Sequence, residues 1–347
     1  MSFSKIILRP VTIPLSWLYC LTTALRNILY NRKILKSIQF AVPVISVGNI
    51  TAGGTGKTPF VIALTNWLEE RDYNVGVISR GYRRHGRGQV IVKDGRKILA
   101  SVNQAGDEPF LIARKTGHTV VIVDADRCAA AYTAIQKYGC DIIVADDAFQ
   151  HRRLNRQLDI VLWDCHHDPA KERVLPAGHL RESIKELKRA DLILISRSEK
   201  IPTFISDFMN THFPDSDIAT LPLTTEKIYN FVSETAISSN EITRRKVLGF
   251  CGLGNPWQFF DTLVNMTGSD TIIRRIFPDH HKYTEREIQS LQRTAFDNNC
   301  NYLLTTAKDA VNLPESAQNI DNVFVVEVTF KITEKMGAVI LANLPPH

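Results

Sequence analysis

The chain contains the stretch Gly48-Asn49-Ile50-Thr51-Ala52-Gly53-Gly54-Thr55-Gly56-Lys57-Thr58-Pro59, which decides its fold. An apolar run at residues 42–47 precedes this stretch, and a helical pattern begins at residue 59. A strand, a glycine-rich loop and a helix in this order are typical of a phosphate-binding loop (P-loop), whose successive backbone N–H groups surround phosphate oxygens. We therefore predict that eight consecutive residues bind a nucleotide: Thr51, Ala52, Gly53, Gly54, Thr55, Gly56, Lys57 and Thr58.

Two residues of this loop have defined roles in sites of this kind. Lys57 would contact the β- and γ-phosphate oxygens, and the Thr58 hydroxyl would bind Mg²⁺. The loop departs from the pattern G-x-x-x-x-G-K-[ST], because Thr51 stands where a glycine is expected. The variant G-G-x-G-K-T of a P-loop subclass fits better. That subclass often has a signature lysine at the position that Ala52 occupies here.

From residue 41 onward the chain alternates short β-branched runs with helical patterns. Such alternation predicts βαβ units and an α/β fold of the P-loop NTPase type, a mainly parallel sheet with helices on both faces. The predicted strands are at residues 42–47, 75–79, 120–123, 142–145, 160–163 and 192–196. The predicted helices are at residues 59–70, 108–115 and 127–138, the last ending at Gly139, where a left-handed cap suits glycine.

A polar stretch at residues 224–245 lacks a clear period, and we predict that it is a linker or hinge. It would separate a P-loop nucleotide-binding domain, residues 39–223, from a smaller α/β domain, residues 246–347. In the smaller domain we expect strands at 246–251, 302–305 and 323–328 and helices at 256–266, 285–299 and 333–343. Residues 1–38 would form an N-terminal membrane-associated helix.

The N-terminal helix has an apolar segment at residues 11–25, flanked by basic residues that include Lys5, Arg9 and Arg26. The segment is shorter than the ~20 residues that a spanning helix needs, and Pro14 interrupts it. Apolar side chains beside basic residues are typical of a helix lying in the interface of an anionic membrane. An amphipathic helix packed on its own domain would show a similar pattern, and the sequence leaves both interpretations open.

The composition is that of a globular protein: 347 residues, 44% of them apolar, with a formal net charge of +6. These values exclude a disordered or collagen-like chain, and the small positive charge does not predict nucleic-acid binding. The six cysteines contain no C-x-x-C pair and predict reduced thiols. Residues 164–168 read Asp-Cys-His-His-Asp, but adjacent histidines rarely converge on one ion, so we expect no metal site there.

Acidic residues follow the predicted strands at the sheet edge where open α/β sheets bind ligands. Asp146 and Asp147 come directly after an apolar strand, where a Walker B carboxylate would hold Mg²⁺ directly or through water. Asp107 and Asp126 precede predicted helices, and the simplest interpretation of both is helix capping. The sequence therefore predicts a Mg²⁺ site of Thr58, Asp146 and Asp147, and leaves open which aspartate binds the ion directly.

Two motifs in the C-terminal third carry polar groups. Asp279-His280-His281 lies in a predicted loop and is a candidate for proton transfer. Thr306-Ala307-Lys308-Asp309 resembles the base-reading T-x-K-D element of some nucleotide-binding proteins, although an exposed Lys-Asp turn is the simpler interpretation. Gly252-Leu253-Gly254 does not complete a dinucleotide fingerprint, because Trp257 stands at the third glycine position.

Together these motifs resemble the tetraacyldisaccharide 4'-kinase family, whose members phosphorylate the disaccharide precursor of lipid A. Their order and spacing along most of the chain make the resemblance specific; Ala148 is a small departure, where the family pattern has glycine. The matching segments are Val47-Gly48-Asn49 with the P-loop, Ser79-Arg80-Gly81-Tyr82, Gly106-Asp107-Glu108-Pro109, Asp146-Asp147-Ala148-Phe149-Gln150-His151, Leu175-Pro176-Ala177-Gly178 with Leu180-Arg181-Glu182, Phe277-Pro278-Asp279-His280-His281 and Thr306-Ala307-Lys308-Asp309.

The resemblance implies an ATP- and Mg²⁺-dependent kinase that phosphorylates the 4'-hydroxyl of tetraacyldisaccharide 1-phosphate, yielding lipid IVA, at a site between the two domains. It implies that Asp107 is the catalytic base, paired with a histidine of the Asp279-His280-His281 motif. We choose His280 for this pair and keep His281 as the alternative. Asp279 and Lys57 would also take part in catalysis. It further implies a set of substrate-binding residues, of which Arg80, Tyr82 and Arg127 would bind the acceptor's phosphate or the transferring group. The full set is Asn49, Arg80, Tyr82, Glu108, Arg127, Gln150, His151, Arg181 and Glu182.

The resemblance also implies a location, the cytoplasmic face of the inner membrane of a Gram-negative-type cell, with peripheral or monotopic attachment. The expected partners are the glycolipid and the membrane surface, with neither nucleic acid nor an obligate protein partner. The main alternative is a regulatory ATPase or GTPase switch of the same P-loop subclass that acts on a protein partner. Such a protein would usually dimerise across the nucleotide through the signature lysine, which Ala52 replaces.

Overall fold

The structure of the protein, a computed structural model, describes residues 9–268 and 272–345. Lys5, predicted to flank the N-terminal helix, lies outside these residues. The described chain forms two β-sheets, and the P-loop connects the first strand of the larger sheet to a helix. Within the described residues, no helix combines the length and the apolar character that a membrane crossing requires.

The larger sheet has eight strands: β1 (Val44–Gly48), β2 (Val75–Ser79), β3 (Val90–Asp94), β4 (Val120–Val123), β5 (Ile142–Asp146), β6 (Leu158–Asp164), β7 (Leu192–Ser196) and β8 (Asp217–Leu221). Their order is β3-β4-β2-β5-β1-β6-β7-β8, and all neighbours are parallel except β3 and β4. The prediction of a mainly parallel sheet is therefore confirmed. The P-loop strand β1 lies beside β5, so that the P-loop and Asp146 leave adjacent strands at the same edge.

The helices of this part of the chain are α1 (Arg9–Asn31), α2 (Lys57–Glu69), α3 (Val102–Ala105), α4 (Asp107–Lys115), α5 (Arg127–Tyr138) and α6 (Thr203–His212). These helices lie on both faces of the sheet. Since successive strand residues point to opposite sides, each face contributes side chains to a separate core. Val77 of β2 packs in one core with Phe60 of α2, whereas the next residue, Ile78, packs in another core with Ala134 of α5. Helix α5 ends at Gly139 in the left-handed conformation, with φ of 65°, as predicted.

The smaller sheet has six strands: β9 (Leu223–Asn230), β10 (Ala236–Ile237), β11 (Val247–Cys251), β12 (Ile272–Ile276), β13 (Tyr302–Thr306) and β14 (Val323–Phe330). Their order is β10-β9-β14-β13-β11-β12. Strand β9 is antiparallel to both of its neighbours, and the other pairs are parallel. The helices here are α7 (Ser239–Ile242), α8 (Trp257–Thr267), α9 (Glu285–Asp297), α10 (Ala307–Ala310) and α11 (Glu334–Ala342).

Residues 224–245, which we predicted as a linker, contain most of β9 together with β10 and α7. Strand β9 pairs with β14 from Leu223, opposite Phe330, to Asn230, opposite Phe324. Only Pro222 separates β8 of the larger sheet from β9 of the smaller one. This stretch therefore belongs largely to the smaller sheet. Its exposed polar residues do not show the apolar pattern by which a strand is predicted from sequence. The division of the chain into domains stays a prediction.

Residues 330–340, from the end of the smaller sheet's last strand onward, pack against the larger sheet. Phe330 at the end of β14, with Met336 and Ile340 of α11, belongs to the same core as Phe60 and Leu64 of α2. The rings of Phe330 and Phe60 meet edge to face, with centroids 6.4 Å apart. Helix α11, which we expected in the smaller domain, thus packs against the helix that follows the P-loop and links the two sheets.

Helix α1 turns polar residues toward the protein and apolar residues toward solvent. The Ser16 hydroxyl donates to the carbonyl of Val174 at 2.9 Å, and the Asn27 amide donates to Glu182 at 3.1 Å. Exposed apolar side chains recur every three or four residues and form one stripe: Val11, Leu15, Leu18, Leu21, Leu25 and Ile28. A helix that used its apolar face to pack on its own domain would show the reverse arrangement.

Phe330→Ala should lower the free energy of unfolding by about 3–5 kcal/mol, because it leaves a cavity between β14 and α2. Urea denaturation followed by tryptophan fluorescence measures this change. Phe296→Ala is the matched control: this side chain is 82% exposed. Its loss should change stability by less than ~0.5 kcal/mol. Equal effects of the two substitutions would contradict the packing of α11 and β14 on the larger sheet.

Candidate active site

A cavity of about 850 Å³ opens at the carboxyl ends of the larger sheet's strands, facing loops of the smaller sheet. This volume lies within the range of ~300–1,000 Å³ that is usual for ligand sites. Most of the predicted site residues line it, from both sheets. They are Ala52, Gly53, Gly54, Thr55, Gly56, Lys57, Thr58, Arg80, Tyr82, Glu108, Arg127, Asp146, Asp147, Gln150, His151, Arg181, Asp279 and His280.

Five predicted site residues do not line the cavity: Asn49, Thr51, Asp107, Glu182 and His281. The Asn49 side chain is buried inside the P-loop, where its amide donates to Thr55 Oγ1 at 3.1 Å. Glu182 is fully buried and accepts hydrogen bonds from Gln150 at 2.9 Å and Arg189 at 2.8 Å. The structure therefore gives Asn49 and Glu182 supporting positions behind the wall of the cavity.

Glycine is required at two positions around the P-loop. Gly56, the residue before α2, has φ of 89°, and a Cβ there would lie 2.9 Å from the ring of Phe330. A Cβ on Gly48 would lie 2.7 Å from the Cβ of Phe149. The loop thus fits closely between β14 and the turn after β5, with the N-terminus of α2 at the cavity, where backbone N–H groups favour an anion.

Lys57 is paired with Asp147 in this structure. Its Nζ lies 3.4 Å from Asp147 Oδ1, and Arg181 Nη1 donates to both oxygens of the same carboxylate at 2.9 Å. Burial raises the pKa of Asp147, but the two neighbouring cations outweigh this effect and hold the pKa below its usual value. Asp147 is therefore an ionised carboxylate that positions the P-loop lysine.

Asp146 is at the end of β5 and is almost fully buried. Its Oδ2 accepts a hydrogen bond from Ser79 at 2.9 Å, and its Oδ1 is buried without a partner among the described residues. Burial and the negative charges of Glu108 and Asp147 raise the pKa of Asp146 to about 7. An orphaned carboxylate oxygen close to other carboxylates fits a Mg²⁺ ion, which prefers oxygen ligands and would offset the repulsion.

Arg127 and His151 bring buried nitrogen atoms to another part of the cavity. Arg127 donates to the Ala125 carbonyl at 3.2 Å, and its Nε has no hydrogen-bond partner among the described residues. His151 Nε2 is likewise buried and unpartnered within the described chain; burial and the charge of Arg127 lower the pKa of His151 to about 4, so its ring is neutral. Arg80 also lines the cavity. Two guanidinium groups in one cavity fit a phosphate.

Asp107 and His280 meet where the two sheets face each other. Asp107 begins α4, His280 follows β12, and Asp107 Oδ2 lies 2.6 Å from His280 Nδ1. Both side chains are buried, with 6% and 9% exposure. Burial raises the pKa of Asp107, but the hydrogen bond from His280 and the charge of Lys308 hold it below its usual value. Asp107 is therefore ionised, and its Oδ2 accepts a hydrogen bond from Nδ1 of His280.

Lys308 lies beside the second ring nitrogen of His280. Its Nζ lies 3.4 Å from His280 Nε2 and donates to Glu108 at 3.0 Å. Burial lowers the pKa of Lys308, but the carboxylates of Glu108, Asp107 and Asp279 outweigh it and raise the pKa above its usual value. An ammonium group can only donate hydrogen bonds, so this contact favours the tautomer with the lone pair on His280 Nε2 and the proton on Nδ1. Asp279 Oδ2 lies farther from the same nitrogen, at 3.7 Å.

The structure distinguishes the two histidines that the sequence left open. His280 contacts Asp107, whereas His281 Nε2 lies 3.1 Å from Glu287 of α9. The His281 ring stacks on Phe277, with centroids 4.8 Å apart. His280 is therefore the histidine of the Asp–His pair, and His281 packs its loop onto α9.

Lys308 and Arg197 line the cavity and were missed as site residues by sequence reasoning. The motif containing Lys308 was visible, but its interpretation as a turn or a base-reading element did not place the lysine beside His280. Arg197 follows β7, donates to the carbonyl of the P-loop residue Gly54 at 2.6 Å and pairs with Asp164. Its position directly after a predicted strand, at the edge where the other site residues lie, could have identified it as a site residue.

Asp146→Asn should raise the free energy of unfolding at pH 8. The pKa of Asp146 is raised to about 7. Between pH ~4 and ~7 the folded protein therefore keeps a proton that the unfolded chain has already lost, and above this range the folded protein carries an unfavourable buried charge. Stability therefore falls as pH rises from ~4 to ~7, and the cost persists above that window. The shift sets an upper limit of about 4 kcal/mol on the gain. Urea denaturation at pH 8 and at pH 5 should show a smaller gain at the lower pH.

Asp147→Asn is the matched control of opposite sign. The pKa of Asp147 is held below its usual value by Lys57 and Arg181, so its stabilising contribution is present at neutral pH and is lost as pH falls through the folded pKa. This variant should be less stable than the unmodified protein at pH 8. A loss of stability in both variants would contradict the proposed charge arrangement.

Comparisons with known proteins agree over nearly the whole chain. A family model described as tetraacyldisaccharide-1-P 4'-kinase (LpxK) matches residues 8–345. A tetraacyldisaccharide 4'-kinase from Syntrophus aciditrophicus is 36% identical over 310 residues, which cover 86% of this chain and 82% of the relative. One from Halothermothrix orenii is 36% identical over 362 residues, covering 97% and 92%.

A solved structure is similar over the same length. It is the "apo" form of LpxK from Aquifex aeolicus in complex with ATP, with a TM-score of 0.76 and 31% identity. The similarity covers 99% of this chain and 100% of that one, so it includes both sheets and the cavity between them. On this full-length agreement, the chain belongs to the tetraacyldisaccharide-1-P 4'-kinase family.

Proposed function

We propose that this protein transfers the γ-phosphate of ATP to the 4'-hydroxyl of tetraacyldisaccharide 1-phosphate in the presence of Mg²⁺, yielding lipid IVA. Family membership supports the reaction. The observation that carries the proposal is the convergence on one cavity of the P-loop, the acidic residues Asp146 and Asp147, and the Asp107–His280 pair. A phosphate site, a cation site and a proton acceptor in one place are what phosphoryl transfer to an alcohol requires.

The P-loop side of the cavity would hold the nucleotide. Backbone N–H groups at the start of α2, together with Lys57, would bind the β- and γ-phosphates. Thr58 and Asp146 or Asp147 would hold Mg²⁺, which neutralises charge on the transferring group. Asp147 holds the Lys57 ammonium at the cavity, with 3.4 Å between Nζ and Oδ1, where it would meet the phosphate oxygens.

The Asp107–His280 pair would remove the proton of the attacking hydroxyl. His280 lines the cavity and carries its lone pair on Nε2, whereas Asp107 lies behind it and is only 6% exposed. The hydroxyl proton would reach Nε2 after the acceptor hydroxyl replaces the Lys308 ammonium at this nitrogen, and the charge of Asp107 would stabilise the imidazolium that forms. Asp107, which the sequence predicts as the base, would therefore act through His280 in this proposal.

Arg80, Arg127 and His151 would bind the transferring phosphoryl group. Arg127 lines the same cavity as the proposed Mg²⁺ ligands Asp146 and Asp147. This position suits the γ-phosphoryl group as it is transferred from ATP, because fixed positive charges there would stabilise the transition state.

Helix α1 would hold the protein at the membrane surface that carries the acceptor, which we take to be the cytoplasmic face of the inner membrane. Tyr19, Thr23 and Arg26 of this helix line the cavity. The exposed apolar stripe, which includes Leu18 and Leu21, lies on another side of the same helix. A helix with one side at the cavity and one side in the bilayer interface would bring a membrane-bound hydroxyl to the site.

His280→Gln and Asp107→Asn should each lower kcat by ~10²–10⁴-fold, because each removes part of the base. Transfer of radiolabelled phosphate from ATP to tetraacyldisaccharide 1-phosphate in detergent measures this loss. The Kd for ATP, measured by calorimetry, should change little, since neither side chain is part of the P-loop. His281→Gln is the matched control and should keep most of the activity, because its ring packs on Phe277 away from Asp107.

Two results would overturn parts of this proposal. Hydrolysis of ATP without labelled lipid would contradict the kinase and favour a nucleotide-driven switch. Unchanged turnover in both the Asp107 and the His280 variant would reduce the pair to a structural contact between the sheets.

The double substitution Leu18→Glu with Leu21→Glu should weaken binding to vesicles that contain anionic lipid by at least about tenfold, since each buried leucine contributes ~1.5–3 kcal/mol. Flotation of the full-length protein with vesicles measures the bound fraction. Phe296→Glu with Phe204→Glu is the control: it places the same two charges on exposed apolar residues of α9 and α6. Equal loss from the control variant, or full retention of the double variant, would count against α1 as the attachment.

A further inference from the structure

A cluster of two histidines and a glutamate lies in the loop between β6 and β7, outside the residues that line the cavity. Leu180 N donates to the Arg173 carbonyl at 2.9 Å, and Leu175 N donates to the Leu180 carbonyl at 2.8 Å. These bonds fold the loop back on itself and bring His179 next to Glu172. His167, held by a hydrogen bond from Trp163 to its carbonyl at 2.9 Å, completes the cluster.

The three side chains point their ligating atoms at one another. His167 Nδ1 lies 2.7 Å from Glu172 Oε1, and His179 Nδ1 lies 3.4 Å from Glu172 Oε2. All three groups offer an atom within 4.8 Å of the others. A tetrahedral ion with bonds of about 2.1 Å separates its ligand atoms by about 3.4 Å. The spacing here therefore needs only small side-chain rotations to accept an ion.

We propose that His167, Glu172 and His179 form a binding site for a borderline divalent transition metal such as Zn²⁺, Co²⁺ or Ni²⁺. Two imidazoles and one carboxylate are a donor set that these metals favour and that Mg²⁺ does not. Three protein ligands leave a fourth position to water, which is reachable because His179 is 52% exposed. This site is separate in position and in ligand chemistry from the proposed Mg²⁺ site.

Two other groups of donor residues in the described chain are less suitable, because arginine side chains, which cannot bind a metal, already pair with their carboxylates. In the group Asp164, Cys165 and His166, the Asp164 carboxylate pairs with Arg197. In the group Asp126, Cys128 and His151, the Asp126 carboxylate caps α5 and pairs with Arg153. The partners that the structure shows for Glu172 are the two imidazoles themselves.

The position of the cluster connects it to the P-loop. The carbonyl of His179 accepts a hydrogen bond from Ala52 N at 2.6 Å, and Leu180 forms a β-bridge with Thr51. An ion held by His179 would therefore restrain the loop that lies against residues 51–52. Binding of the metal would make this segment more resistant to hydrogen exchange.

The test uses the full-length protein after treatment with EDTA and removal of the chelator. Competition with a chromophoric chelator gives the affinity for Zn²⁺, and Co²⁺ loading gives the visible absorption of a low-coordinate nitrogen and oxygen site. His167→Ala, Glu172→Gln and His179→Ala should each weaken Zn²⁺ binding by at least about tenfold, since even outer partners of a ligand contribute 10–100-fold. Hydrogen exchange of residues 51–52 and 179–180 should slow on addition of Zn²⁺.

Three matched controls distinguish this cluster from other donors. Cys165→Ser and His166→Ala remove neighbouring ligands in the same loop, and His212→Ala removes an exposed histidine on α6; all three should leave Zn²⁺ affinity unchanged. Glu172→Gln keeps the size of the side chain, so it tests the ligand even where an alanine variant loses stability. Unchanged affinity in the Glu172→Gln and His179→Ala variants, or loss in Cys165→Ser, would overturn the assignment.

Discussion

The hydrogen bond between Asp107 and His280 is the interaction on which the site depends. It joins a carboxylate at the start of α4 to an imidazole after β12, with 2.6 Å between Oδ2 and Nδ1. Loss of its partner would leave the Asp107 carboxylate buried and unpaired, which strongly destabilises the folded state. The contact therefore helps to fix how the two sheets face each other. Together with the contact of Lys308 at Nε2, it favours the tautomer of His280 with the proton on Nδ1. The packing of the two sheets thus also brings the two residues of the proposed base together.

The cavity gathers charges that are costly without a ligand. Burial and nearby carboxylates raise the pKa of Asp146 to about 7, while Arg127 is buried with an unpartnered Nε among the described residues. A cation bound to Asp146 and a phosphate bound to Arg127 would each offset the free-energy cost of burying these charges. Sites are often less stable than the scaffold around them for this reason. The scaffold compensates through apolar packing, of which Phe330 against Phe60 is one example.

Particular elements show how far the sequence could predict the fold. Strands β2, β4 and β7 have the predicted bounds, because each is a short apolar run that is buried on both faces. Strand β9 was missed because four consecutive residues, 224–227, are polar and exposed at one end of the strand. Helix α11 was predicted within a residue of its ends, but nothing in its own pattern showed that it packs on α2.

The sequence by itself determined the P-loop, the acidic pair after β5 and the Asp-His-His motif, because these depend on local order along the chain. Only the tertiary structure decided that His280, and not His281, meets Asp107, since adjacent residues differ only in the direction of their side chains. His280 has φ of 59°, and the neighbouring ring of His281 stacks on Phe277. The tertiary structure likewise placed Lys308 beside His280 and His179 beside Glu172. Asp107 and His280 are 173 residues apart, so their contact forms only when the two sheets pack together.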